Sequence, residues 1–146
     1  MTLDIPSLIE RGCEETEPIQ ASLYATESEH DLPEEATKAC ALGAALVASD
    51  SARFDRIADH LSTTRIEEDE LPAHVDLPPY TKVHSMLEKK GEANLYLVMT
   101  TLNDRTDMSR QAIAEWLRTL PDPMTTVEFE VPTNVSARGG TTPATA

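Results

Sequence analysis

Ten consecutive residues, Ala39 to Ala48 ("ACALGAALVA"), carry no charge and no side chain larger than leucine. A helix that is apolar nearly all round has to be enclosed on every side, so this run commits the rest of the chain to supplying neighbours for it. The spacing predicts a helix over 38–48 capped by Thr37. Cys40, Gly43, Ala44 and Val47 fall along one side of it, and Leu42, Ala45, Leu46 and Ser49 along the other. Gly43 costs helix propensity, about 1 kcal/mol relative to alanine. Close approach of a neighbouring backbone would compensate. The small face is therefore expected to receive the first helix, and the Leu42/Leu46 face to meet a helix over 109–120.

The neighbours are read from periodicity and stop signals. Residues 4–15 form a first helix with Asp4 as cap and Pro6 in its first turn. "IQASLYA" is extended or irregular, and "TESEHDLPEE" is a polar loop. "SDS" at 49–51 breaks the chain, after which Phe54, Ile57, Ala58 and Leu61 follow helical spacing. Residues 62–79 are a loop with three prolines and the acidic run Glu67–Glu70. A helix runs from about Tyr80 to Lys90 and stops at Gly91. "ANLYLVMTTLND" at 93–104 fits strand or helix, with the balance toward helix. Residues 107–123 are a helix capped by Ser109 or Asp107, with Ile113, Trp116, Leu117 and Leu120 as its apolar stripe. "TTVEFEV" at 125–131 alternates like a strand but is short and lone, and 132–146 read as a flexible tail. The expected architecture is mainly α, a bundle of about five helices over residues 1–122 with at most a short β element. Residues 123–146 would add an extended segment and the tail.

With 146 residues the chain can bury a real core, and with 40% apolar residues but few aromatics that core must be aliphatic. Twenty-six acids face twelve bases, a formal net charge of −14. Such a chain repels phosphate backbones, so direct nucleic-acid binding is not expected. Many acids, few lysines and many small residues resemble a salt-adapted surface, on which added salt should stabilise the fold. The same charge allows a sharper alternative, an acidic inhibitor that mimics nucleic acid. No segment resembles a signal peptide or a membrane span, which points to the cytoplasm. A disulfide between Cys13 and Cys40 is not expected there, and these two cysteines do not form a zinc motif.

Candidate chemistry is sparse. Cys40 near a helix start could be an activated thiol, but no spacing ties His30, His60, His74 or His84 to it, and a packed core cysteine is the plainer reading. From Asn103 the chain begins like a calcium loop, but Arg105, Met108 and Ala114 stand where acid, glycine and glutamate are needed. "MSRQAIAEWLRTL" is similar to the first half of a helix-turn-helix, yet Pro121 and Pro123 interrupt what should be a recognition helix. The run Glu67–Glu70 is the usual composition of a solvated loop rather than of a metal site. No catalytic, cofactor or metal residue is assigned.

"ACALGAALV" at 39–47, followed by "LNDRTDMSRQAIAEWL" at 102–117 and preceded by "LIERGCEETEPIQASLY", resembles a group of small uncharacterised bacterial and phage proteins. The resemblance implies a small α-rich domain of unknown function and brings no catalytic residue. Its signature on this chain is Cys40, Gly43, Asn103, Asp104 and Trp116. Asn103 and Asp104 are expected to tie the turn before the last helix. The functional expectation is a non-catalytic accessory or protein-interaction protein with an unknown protein partner. The alternatives are the nucleic-acid mimic and a cysteine enzyme using Cys40.

Overall fold

A computed structural model describes residues 2–27, 32–73 and 75–129. His30, His74 and the tail over 132–146 lie outside the described residues. Helix α1 spans Ile5–Glu15, α2 Ala41–Ala48, α3 Ser51–Thr63, α4 Lys82–Lys90, α5 Leu95–Arg105, α6 Arg110–Leu117 and α7 Asp122–Thr125. Strands are β1 Thr2–Asp4, β2 Glu17–Pro18, β3 Tyr24–Thr26, β4 Ala36–Ala39, β5 Arg65–Glu67, β6 Glu92–Asn94 and β7 Thr126–Glu128.

The expected mainly α bundle of about five helices is therefore corrected. The described residues form seven helices and seven short strands in three small sheets, a mixed α/β domain. β4 is central to one sheet, parallel to β2 (Glu17 opposite Lys38) and antiparallel to β3 (Tyr24 opposite Ala39). β5 pairs antiparallel with β6 through Ile66 and Ala93. β7, expected to be alone, pairs antiparallel with β1 through Leu3 and Val127. The strands escape sequence reading because each has two to four residues. That is too short for a period of two to register. They lie mostly where a helix starts or ends, and they pair backbone groups that would otherwise be left open at those junctions.

The helix starts follow side-chain chemistry. Asp4 Oδ2 accepts from Ser7 N at 3.3 Å, Asp50 from Arg53 N at 2.8 Å, Asn94 from Leu97 N at 2.8 Å and Ser109 from Ala112 N at 3.0 Å. Gly91, in the left-handed region at φ +76°, ends α4. At α2 the expected boundary is wrong: residues 36–39 are strand, and the cap is Cys40 rather than Thr37. Residues 93–105 divide between β6 and α5, with the helix dominant.

α2 sits in the interior, with Ala41 to Leu46 all buried. α1 crosses its small face, as expected. Gly12 is buried there against the Ala44 backbone, where an added Cβ would lie 1.9 Å from the Ala44 carbonyl oxygen. α6 packs mainly on α1 and only lightly on α2, so the predicted pairing of α2 with the 109–120 helix is the minor contact. Trp116 is buried, and its Nε1–H donates to the Glu70 carbonyl at 3.0 Å. The acidic run thus covers α6 by its backbone, while the Glu67, Glu68 and Asp69 side chains are exposed. After α6 the chain makes the single turn α7 and then β7, in place of a recognition helix. Among the described residues no helix is long and apolar enough to cross a membrane.

Candidate functional site

The resemblance signature resolves into one cluster and one outlier. Cys40, Gly43, Asn103 and Asp104 meet at the N-terminus of α2, whereas Trp116 belongs to the contact with Glu70. A helix start leaves backbone N–H groups without intrahelical acceptors. Here Asn103 Oδ1 accepts from Ala41 N at 3.1 Å, and Cys40 Sγ accepts from Gly43 N at 3.3 Å. Asn103 Nδ2 donates to the Ile19 carbonyl at 3.0 Å and to Asp104 Oδ1 at 2.8 Å. Asp104 Oδ1 also takes the N–H of Ala21 at 3.0 Å. Ala21 is held at φ +64°, a conformation that costs a non-glycine residue free energy, so the Asp104 contact helps hold that loop. Asn103 and Asp104 thus clamp the 19–23 loop over α2, instead of tying the turn before α6 as expected.

The loop explains Gly43. The Leu23 carbonyl accepts from Cys40 N at 3.0 Å and lies 1.6 Å from where a Cβ on Gly43 would stand. A neighbouring backbone does approach there, but it is the segment entering β3 rather than a helix.

Cys40 is 5% exposed on one wall of a cleft of about 190 Å³ with Leu23, Tyr96, Thr100 and Asp104. Burial pushes its thiol above the ordinary range, the Gly43 N–H pulls it back, and the nearby Asp104 carboxylate pushes it further up. Among the described residues no histidine lines this cleft. The Cys40 Sγ is engaged as the cap of the Gly43 N–H, and burial favours the protonated thiol. Cys13 is half-buried, with its thiol also pushed up by burial and pulled down by Arg110. Both cysteines are free. No group of three or more His, Cys, Asp or Glu side chains among the described residues is placed to hold a metal ion.

Two features are not singled out by the sequence reading. Arg110, at the start of α6, is 5% exposed and donates to Thr16 Oγ1, Thr16 O and Ala39 O at 2.8, 2.9 and 3.1 Å. A signal for it exists: Arg110 lies on the same helical face as Ile113, Ala114 and Leu117, so a cation heads an apolar stripe. The second feature is Tyr80, 72% exposed, with the Arg105 guanidinium 5.6 Å from its ring centre. Arg105 stands between two grooves. One, of about 610 Å³, carries Pro72, Val75 and Met108; the other, of about 270 Å³, carries Tyr80, Lys82 and Leu97. No exposed sequence periodicity marks Tyr80, because it precedes α4 and its Thr81 cap.

No family model, no curated protein and no solved structure matches this chain.

Proposed function

We propose that this protein is a non-catalytic accessory protein that works by binding another protein, with Tyr80 and Arg105 at the centre of the contact. The observation that carries this reading is Tyr80 itself. It is the most open of the large apolar side chains among the described residues, and it is stacked by a guanidinium between two grooves. Tyrosine and arginine are the residues that most often anchor protein contacts, since they bring large area at small entropic cost. Neither Arg105 nor Lys82 has a carboxylate partner among the described residues. The partner segment that fits presents a carboxylate to these two cations and an apolar side chain to the Pro72/Val75/Met108 groove. The clamped α2 core serves as the scaffold. A cytoplasmic setting, a salt-adapted surface and kinship with the small bacterial and phage group belong to the same proposal, and the nucleic-acid mimic rests on net charge alone.

The test is site-specific photo-crosslinking from position 80, with position 55 on the outer face of α3 as control. Binding of the captured partner is then measured for Tyr80→Ala and Arg105→Glu. Both variants should keep the parent melting temperature and bind at least about tenfold more weakly. Parent-like affinity in both variants would overturn the proposal.

A further inference from the structure

We infer that the cleft beside Arg110 is an oxyanion site, which takes a carboxylate or phosphate group on the open edge of a buried guanidinium. Arg110 has five N–H groups to place. Its Nη1 donates to Thr16 Oγ1 and Ala39 O, and its Nη2 donates to Thr16 O. The two bonds to Thr16 occupy the end-on edge of the fork. What remains is the side edge, Nε–H with the second Nη2 hydrogen, for which the described residues offer no acceptor. All three acceptors are neutral, and no carboxylate lies within ion-pair distance of this nearly buried cation among the described residues. Arg53 Nε and His84 Nδ1 are the buried side-chain nitrogens without a hydrogen-bond partner among the described residues, so the side edge of Arg110 is reached from the solvent side. A planar two-donor edge on a fixed cation matches the two oxygens of a carboxylate or phosphate.

The surroundings suit the same chemistry. Arg110 lines a cleft of about 220 Å³ together with Gln20, Asn103, Ser109 and Gln111. It is the first residue of an eight-residue helix whose positive end faces the same region. Ser109 caps Ala112 N, leaving the backbone N–H groups of Arg110 and Gln111 without acceptors among the described residues. Gln111 adds a side-chain donor, and Gln20, whose Nε2 already donates to the Asn103 carbonyl at 3.3 Å, has one amide hydrogen left to add. The volume suits a small anion or the charged end of a larger molecule. The chain's net charge opposes the approach of anions at long range, but that field is screened within about 10 Å at 0.1 M salt, and the local donors then decide.

The experiment is an amide and arginine side-chain NMR titration of the full chain with potassium phosphate and, separately, potassium acetate. Ionic strength is held constant with potassium chloride. Binding should appear as saturable shifts confined to residues 18–20 and 109–111 and to the Arg110 Nε–H. Saturation by phosphate alone assigns a phosphate ligand, and saturation by acetate alone a carboxylate. Gln111→Glu places a tethered carboxylate beside the cleft, and an acid in the first turn favours the helix, so the fold is kept. It should weaken binding of either anion at least about tenfold. Gln20→Glu, at an exposed loop position, repeats the test from the opposite wall. Shifts that do not saturate, that spread over the exposed cations as chloride shifts do, or that persist unchanged in both variants overturn the inference.

Discussion

Gly12 of α1 and Ala44 of α2 touch backbone to backbone, and a Cβ at position 12 would lie 1.9 Å from the Ala44 carbonyl oxygen and 2.6 Å from its Cα. The obstacle is main chain on both sides, so no rotamer change relieves it. Gly12→Ala must push the helices apart or unwind an end, and overpacking of this kind typically costs about 1–3 kcal/mol or more. Gly43→Ala meets the Leu23 carbonyl at 1.6 Å and should cost a similar amount through a different partner, the 19–23 loop. Gly91→Ala has open space around it and only a positive φ to resist it, so a loss near 1 kcal/mol is expected. Urea unfolding of the three variants checks the order. A Gly12→Ala protein as stable as the parent would show that the helices do not meet there.

The polar clamp predicts a local phenotype. Asn103→Ala leaves the Ala41 N–H and the Ile19 carbonyl without their partner, each typically worth about 1–3 kcal/mol when buried. Asn103→Asp restores an acceptor for Ala41 but cannot donate to Ile19, and it sets a second carboxylate beside Asp104. Both variants should lose stability, and backbone amides of residues 19–23 should exchange faster with solvent than in the parent. Faster exchange elsewhere with this loop unchanged would mean that Asn103 does not hold it.

How far this fold is legible in the sequence depends on length scale. Helices α1, α3, α4 and α6 are readable from periodicity together with Asp4, Ser109 and Gly91, because capping is local chemistry. The close approach at the small-residue run is readable as a need, but its partners are not. Gly43 meets a carbonyl twenty residues upstream, and nothing local distinguishes that carbonyl from a helix backbone. The strands are hidden by their brevity. Ala36–Ala39 runs smoothly into the apolar run, so periodicity merges it with the helix and shifts the apparent cap from Cys40 to Thr37. Asn103 and Asp104 stand out as a pair, yet their acceptors and donors lie more than sixty residues away in sequence. Arg110 does carry a signal, a cation on an apolar face, but the apolar stripe around it dominates the helical pattern.

The two thiols should react in order. Cys13 is half-buried and Cys40 is 5% exposed, so native-state labelling should modify Cys13 first and Cys40 only on unfolding. The raised Cys40 pKa also has a stability consequence. In the unfolded chain the thiol ionises above roughly pH 8.5, while in the fold it stays protonated to higher pH, so the unfolded state binds fewer protons there. The contribution is complete below that pH and is lost as pH rises toward the folded-state value. Cys40→Ser keeps a capping side chain that does not ionise in this range. The Cys40→Ser protein should therefore lose less stability than the parent as the pH rises above about 8.5. Parallel pH profiles would refute the assignment of Cys40 as a buried, protonated cap.

Trp116 gives the most direct test of how α6 is held. It shares a face with Ile113 and Leu120, is buried, and spends its one donor on the Glu70 carbonyl at 3.0 Å. The ring therefore joins α6 to the acidic 3₁₀ turn over Glu68–Glu70, a contact between an apolar body and a backbone group that no side-chain charge can replace. Trp116→Ala should cost about 3–5 kcal/mol, comparable with the whole stability of many domains of this size. Trp116→Phe retains most of the apolar area but leaves the Glu70 carbonyl without its donor. It should lose clearly less, and the loss should appear as faster exchange around residues 67–71. Arg118, just beyond α6 and exposed, makes a two-pronged pair with Glu10, and Arg118→Ala should cost no more than about 1 kcal/mol because solvent screens such pairs. Native tryptophan emission should be blue-shifted from that of the unfolded chain and resist iodide. Emission like that of free tryptophan in water, together with a Trp116→Ala variant that melts like the parent, would place the indole on the surface and remove it from the core.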